Sequence, residues 1–431
     1  MTADGTALPR ASLPRTWILV ALAALLGGIG GYAASIAAIP PVACLVLPLL
    51  ATLGLRAGPW TLAFAGVFAF HAIGTRDLFT AAHAFFPDEA SAYLANLGLI
   101  AICTVLAAAW TWIPRLAGRW GVRTWGGVLI AFMLALAPPL GVFGVLHPVL
   151  AYGFVWSGGG WAAIAVLSAA LCWFAAWMTH RRPEVQLAVI AGALILSPLA
   201  ATEPMAVRGN DRFRTVNTAW TDTQLTVDQR IDRITKVGKV VRALEPLQVT
   251  WIIFPESTVR EAPGAEYLLG LEVAKARRAT VWLGASQGEG GELAIPLLRV
   301  FNPDGTRQSV YARQPMPISL WRPWAIGGAR WLAPALVASP IGPAYLSMCY
   351  EDMVPGLFLL SAAREGRPSV VVSIANNSFL PSRDAVQAQA WRIESMARLF
   401  GLQLLRAVNL PRAGQAGTDL EREAGTPAPL P

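Results

Sequence analysis

Two patterns of apolar positions divide this chain. Up to about residue 202 the apolar residues run on in long stretches with few charges. From about Thr215 they come in short runs and in helical spacing, separated by polar residues. A spanning helix needs about 20 mainly apolar residues. Residues 17–55 are nearly twice that and are broken at Pro40-Pro41, so they read as two helices or as a re-entrant hairpin. Further apolar runs cover residues 58–74, 93–113, 125–146 (bent at Pro138-Pro139), 161–178 and 185–201, which makes seven segments. A cleaved signal peptide is the competing reading of the first run, but that run continues far past the short apolar region such a peptide uses. The glycines between Gly27 and Gly31 predict close helix packing.

The second half alternates strand and helix signals. Residues 249–254 predict a buried strand bounded by Pro255. Before it, residues 222–241 have helical spacing, with Leu225, Val227, Ile231, Ile234, Val237 and Val241 apolar. A helix over 267–278, strands over 280–284 and 297–302, and a turn at Asn302-Pro303-Asp304-Gly305 follow. Strands over 346–349 and 369–374, a helix over 385–399 and a last strand over 403–408 complete the pattern. Alternation of this kind predicts an α/β domain. Residues 415–431, rich in Ala, Gly, Pro and charge, read as a disordered tail.

Charge sharpens the division. Residues 1–202 hold 9 Lys and Arg against 5 Asp and Glu, and the remainder holds 25 against 21. The chain is 55% hydrophobic and only 14% charged, well below the quarter usual in soluble domains. The basic pI of 9.7 does not point to nucleic acid, because the basic residues of the soluble half are mixed with nearly as many acids. In the membrane half Arg10, Arg15, Arg56, Arg115, Arg119, Arg123, Arg181 and Arg182 all fall on one face if there are seven segments. Short-loop arginine marks the cytoplasmic side. The N-terminus is therefore expected in the cytoplasm and the soluble half outside it.

Elimination narrows the chemistry. All four histidines lie at or before His180, so the soluble half has no Ser-His or Cys-His catalysis and no His-based metal site. Its one cysteine, Cys349, ends an apolar run and precedes a turn. A working thiol there needs a base, and without histidine the base is a carboxylate or a lysine. Glu256, in Phe254-Pro255-Glu256-Ser257 at another strand tip, is the candidate, because an apolar surrounding raises a carboxyl toward a usable range. Cys44, Cys103 and Cys172 read as small packing residues of the membrane segments.

Phe254-Pro255-Glu256-Ser257, then Asn302-Pro303-Asp304-Gly305-Thr306, then Cys349-Tyr350-Glu351 stand in this order after apolar strands. This resembles the nitrilase (carbon–nitrogen hydrolase) superfamily. The membrane half, Ile39-Pro40-Pro41, Ile374-Ala375-Asn376-Asn377-Ser378-Phe379 and Arg406-Ala407-Val408-Asn409 resemble apolipoprotein N-acyltransferases and their shorter TraB-type conjugal transfer branch. The resemblance covers residues from about 17 to 410. It implies a Glu–Lys–Cys triad in an αββα sandwich, with Glu256 as base and Cys349 as nucleophile. Tyr350 and Glu351 match the residues beside the nucleophile and would support the oxyanion and substrate. Arg313, after Tyr311-Ala312, stands where the family's lysine is expected. It would hold an oxyanion but cannot relay a proton. No acid follows in Ile318-Ser319-Leu320-Trp321, where the family has a glutamate.

The expected organisation is a cytoplasmic N-terminus (1–16), a transmembrane helical domain (17–202), a nitrilase-like extracytoplasmic domain (203–412) without the family's last strands, and a tail (413–431). The resemblance implies the inner membrane of a bacterium, a membrane lipid as acyl donor, and a conjugation-machinery or lipoprotein partner. No cofactor, metal or nucleic acid is expected. Two functions stay open: Cys-based acyl transfer or amide or ester cleavage, and a catalytically degenerate scaffold. A transporter is disfavoured, since the segments carry almost no charge.

Overall fold

The computed structural model describes residues 13–410 except 37, 57, 87, 201–212, 221–226, 244–248, 261–273, 275–277, 288–294, 318–328 and 381–382. The first half is helical: α1 (Leu13–Ala33), α2 (Leu47–Ala51), α3 (Trp60–Gly74), α4 (Arg76–Phe85), α5 (Glu89–Arg119), α6 (Thr124–Leu134), α7 (Val149–Val155), α8 (Gly160–Met178) and α9 (Pro183–Leu196). Among the described residues three helices are individually long and apolar enough to cross a membrane, in α1, α5 and α8. A fourth arises if α3 and α4, which meet at a 46° bend, count as one.

The last run forms one helix, Pro183–Leu199, too short to span. The second part of the first run and the run over 125–146 are interrupted, and proline is the local reason, because it removes a helical donor and clashes with the preceding turn. After Pro40 comes the 3-10 turn Pro41–Val46 and then the short α2. Pro41–Ala51 is shorter than a spanning helix and most of its side chains are buried. Where the sequence predicts one bent helix over 125–146, α6 stops at Leu134 and a 3-10 turn, Leu140–Phe143, follows the prolines.

Large apolar side chains stand exposed along these helices, among them Trp17, Leu97, Trp112, Trp173 and Ile195. A water-soluble surface rarely presents so many together. Inside the bundle α1 packs closely on α3. A methyl group at Gly27 would lie 2.0 Å from the Gly66 carbonyl oxygen, and one at Gly31 would lie 2.1 Å from that of Phe70. The glycines let the two backbones touch, as their spacing predicts.

The second half contains β1 (Phe213–Thr215), α10 (Val227–Ala243), β2 (Trp251–Ile253), β3 (Val259–Arg260), β4 (Thr280–Gln287), β5 (Ile295–Phe301), β6 (Arg307–Tyr311), β7 (Leu336–Ser339), β8 (Gly342–Met348), α11 (Pro355–Arg364), β9 (Val370–Asn376), α12 (Arg383–Leu399) and β10 (Gln403–Asn409). One sheet has the order β1-β2-β4-β5-β6, with β3 beside β4; the other has β10-β9-β8-β7. Strands β1, β2 and β4 are parallel, as are β8, β9 and β10. The predicted strands and the helices at 222–241 and 385–399 are present with shifted ends. The predicted helix over 267–278 and the tail fall largely or wholly outside the described residues.

Three buried clusters explain the layering. Trp251, Trp282 and Leu298 of one sheet meet Leu346, Met348, Val372 and Leu405 of the other. On the far side of the first sheet, Val237 and Val241 of α10 cover Ile252, Val281 and Leu283. On the far side of the second, Tyr345, Val371 and Leu404 are covered by Leu357 and Phe358 of α11 and by Ile393 and Met396 of α12. That last cluster continues without a break into the membrane half. Polar contacts mark the seam: Arg392 Nε donates to Val145 O (2.8 Å), Gly158 N to Arg398 O (2.8 Å), and Tyr350 OH to Val142 O (2.9 Å).

Candidate functional site

β8 ends at Met348, and the chain turns into the 3-10 helix Cys349–Met353. Cys349 makes that corner with a φ of +49°, a left-handed conformation that costs a side-chain-bearing residue about 1–2 kcal/mol. Two contacts hold the corner. Gln389 Nε2, from α12, donates to Cys349 O (2.8 Å), and Met348 N donates to Glu351 Oε2 (3.2 Å).

Glu256 sits at a similar corner. β2 stops at Ile253, Pro255 cannot extend the ladder, and Ser257 has a φ of +56°. Thr258 Oγ1 closes the turn on Pro255 O (2.7 Å). Gly284 of β4 lies directly beneath. A Cβ there would be 2.1 Å from Pro255 O and 2.6 Å from Glu256 Cα, so only glycine lets the turn settle.

The two corners meet. The Cys349 thiol is hydrogen-bonded to the Glu256 carboxylate. Glu256 Oε2 also accepts from Asn376 N (3.1 Å), at the end of β9, and the thiol lies 3.6 Å from Asn376 O. Burial, and then the Glu256 charge, raise the Cys349 thiol well above its usual range. The resting thiol is therefore neutral and faces the Glu256 carboxyl group. A carboxylate so placed can take the proton as sulfur attacks, without a standing thiolate.

Arg313 is placed elsewhere. It is almost wholly buried, and its guanidinium donates to Ser361 Oγ (2.6 Å), Tyr345 OH (2.6 Å) and Leu357 O (3.4 Å). It also pairs with Glu351 (3.5 Å). Glu351 in turn accepts from Arg313 N and Gln314 N through Oε1, and from Met348 N through Oε2. Glu351 thus ties the segment after β6 to Met348, the residue before Cys349. The structure brings Glu256, Cys349, Tyr350 and Glu351 to one corner. The guanidinium of Arg313 is engaged on the α11 side, behind Glu351.

A second buried pair lies on the other side of the turn. Ser347, Ser373 and Arg406 are register partners across β8, β9 and β10. Asp352 sits over this row, accepting from Ser347 Oγ (2.7 Å) and Ser373 Oγ (2.8 Å), with Arg406 Nε 3.9 Å away. Burial raises the Asp352 carboxyl to about 6. Arg406 Nη2 donates to Gln389 Oε1 (2.9 Å), which links the row to the amide holding Cys349 O. Asp352, Gln389 and Ser373 do not stand out in sequence. The only trace is polar residues at buried strand and helix positions, visible once the register is known.

Cys349 and Tyr350 open on a cavity between the two halves, lined also by Thr75, Asp77, Gln389 and Arg392. A second cavity runs among α3, α4 and α5, past His71, Leu99, Cys103 and Phe143. Both are lined by Thr75, Leu78, Val145, Met316 and Tyr350, so they adjoin there. Among the described residues no three His, Cys, Asp or Glu side chains group as metal ligands.

No family model matches the chain. In fold it is similar to a carbon–nitrogen hydrolase from Helicobacter pylori G27, at 13% identity over 45% of this chain and 71% of that one, with a TM-score of 0.36. An amidase of the nitrilase superfamily from Nesterenkonia AN1 is similar at 14% identity over 46% of this chain and 74% of that one, with a TM-score of 0.34. In sequence the chain is similar to a probable conjugal transfer protein TraB from Sinorhizobium fredii, at 25% identity over 65% of this chain and 72% of that protein. It is likewise similar to the conjugal transfer protein TraB of Agrobacterium fabrum, at 27% identity over 68% of this chain and 70% of that protein. This chain therefore resembles TraB-type conjugal transfer proteins over about two thirds of its length.

Proposed function

We propose that this protein is a membrane-embedded acyl-transferring or amide- or ester-cleaving enzyme that serves plasmid conjugal transfer. The observation that carries the reading is the Glu256–Cys349 hydrogen bond at the mouth of a cavity that continues among the membrane helices. Glu256 takes the thiol proton as Cys349 Sγ bonds to the acyl carbon. The tetrahedral oxyanion is held by the backbone N–H of Tyr350 at the start of the 3-10 turn. Its collapse breaks the acyl–oxygen or acyl–nitrogen bond, and the leaving group takes the proton from Glu256. An amine or water then attacks the thioester, Glu256 receives its proton, and the returning thiolate recovers it. Arg313 is a positioning residue in this scheme, acting through Glu351. The apolar cavity supports a membrane lipid as acyl donor, and the names of the relatives support the conjugal role. Arg15 pairs with Glu184 and Arg56 contacts His180, so these loops share one face of the bundle. An arginine-rich face supports an inner-membrane location with the N-terminus cytoplasmic and residues 203–412 periplasmic.

The second reading is a degenerate scaffold, favoured by the commitment of the Arg313 guanidinium to Ser361, Tyr345 and Glu351. Mass spectrometry of the intact protein after incubation with phospholipid separates the two. The enzyme reading expects an acyl mass on Cys349 that is lost in Cys349→Ala and formed far more slowly in Glu256→Gln. Wild type without an adduct, together with normal plasmid transfer by Cys349→Ala cells, would establish the scaffold instead.

A further inference from the structure

The membrane half contains two buried histidines in very different states. His147 is fully partnered: Nε2 donates to Phe132 O (3.0 Å), and Nδ1 accepts from Val149 N (3.2 Å). That pairing accounts for it as a structural residue. His71 is equally buried, at 2% exposure, yet neither ring nitrogen has a hydrogen-bond partner among the described residues. Leaving a buried polar group unmade costs more than making the bond returns, so such a group calls for an occupant.

The place of His71 says what kind. It lines the cavity among α3, α4 and α5, whose other walls include Leu99, Ile102, Leu106 and Phe143. It lies one helical turn before Thr75, which lines both this cavity and the one that reaches Cys349. Residues four apart share a helix face, about 6 Å apart along it. Thr75 Oγ1 is itself spent on His71 O (2.8 Å). An apolar chain entering from Cys349 would therefore pass Thr75 and meet the His71 imidazole a short way in, its nitrogens unpartnered among the described residues.

We propose that this cavity takes an acyl chain bearing a hydrogen-bonding oxygen along its length, a hydroxyl or an oxo group, and that His71 recognises that oxygen. The inference rests on the acyl-transfer reading above and names the class of chain it would use. A plain saturated chain leaves both imidazole nitrogens unmade. A hydroxyl can accept from one nitrogen or donate to the other, and an oxo group can accept from the protonated one.

The test is titration calorimetry of the full-length protein in detergent micelles. The ligands are palmitate and a series of monohydroxypalmitates with the hydroxyl moved along the chain. One position near the carboxyl end is expected to bind roughly tenfold tighter than palmitate. In His71→Leu that preference disappears while palmitate still binds, and in His71→Gln, which keeps a donor and an acceptor, part of it remains. Equal binding of all chains by wild type overturns the inference and assigns the imidazole to water alone. Persistence of the full preference in His71→Leu, or in His71→Phe if the leucine variant does not fold, overturns it as well. If no fatty acid binds wild type, palmitate included, the acyl-chain reading itself falls; if palmitate binds without positional preference, only the role of His71 does.

Discussion

Arg313→Lys restores the residue type that the nitrilase resemblance expects, and it separates chemistry from architecture at this position. In the structure two guanidinium nitrogens are engaged on different partners. Nη1 reaches Ser361 and Leu357, and Nη2 reaches Tyr345 and Glu351. A lysine brings one nitrogen on a flexible stem in place of that planar fork. It can keep the charge beside Glu351 but gives up one or two of the bonds. A hydrogen bond to a charged group is worth about 1.5–3 kcal/mol, so losing one costs at least that much, about 2–3 kcal/mol in this buried site. Glu351 limits the damage, because it still accepts from Arg313 N, Gln314 N and Met348 N whatever side chain stands at 313. In a domain of about 200 residues each kcal/mol moves Tm by about 2–4 °C. The expected outcome is a fall in Tm of about 5–10 °C, followed by thermal unfolding in detergent, with no gain in the rate of Cys349 acylation. An unchanged Tm with faster acylation would refute the assignment, because it would mean that position 313 serves the reacting centre.

Two further predictions follow from neighbours of the site. Gly284→Ala places a methyl group against Pro255 O and Glu256 Cα, so the base must shift; Cys349 acylation is expected to fall about 100-fold, as displacement of a catalytic group by about 1 Å does, and alanine at wild-type rate would show that the turn does not position Glu256. Asp352 has its folded carboxyl raised to about 6 from 3.8 by burial, so its contribution to stability is fully present below about pH 3.8 and is lost as pH rises through 6; by linkage the loss is about 3 kcal/mol, and denaturant unfolding of Asp352→Asn is expected to lack that slope between pH 4 and 7, whereas the same slope in the variant would assign it to another group.

Much of the candidate site was legible in the chain because its two candidate residues are punctuated locally. Glu256 follows a strand and Pro255, and Cys349 follows a strand and precedes a turn. The absence of histidine after His180 left a carboxylate or a lysine as the base for the thiol, and Glu256 was the candidate. Strands with continuous apolar runs, such as β4 and β9, were equally plain. β6 was not, since its first three residues are exposed and polar. β7 and α11 went unrecognised as well.

What the sequence by itself determined is therefore the division into a helical, apolar half and an α/β half, the order of the main strands, and the pairing of Glu256 with Cys349 as candidates. These depend on local pattern and on which residue types are present at all. Only the tertiary structure decided which helices are long enough to span, because at Pro40-Pro41 and Pro138-Pro139, where the sequence shows only a break or a bend, the chain goes into 3-10 turns and helices too short to cross. Only it decided where Arg313 points, since its partners Tyr345, Glu351 and Ser361 lie 32, 38 and 48 residues away. The buried row of Ser347, Ser373 and Arg406 exists through strand register. The unpaired imidazole of His71 is likewise a property of packing, for nothing in the chain distinguishes it from His147, whose nitrogens are both satisfied.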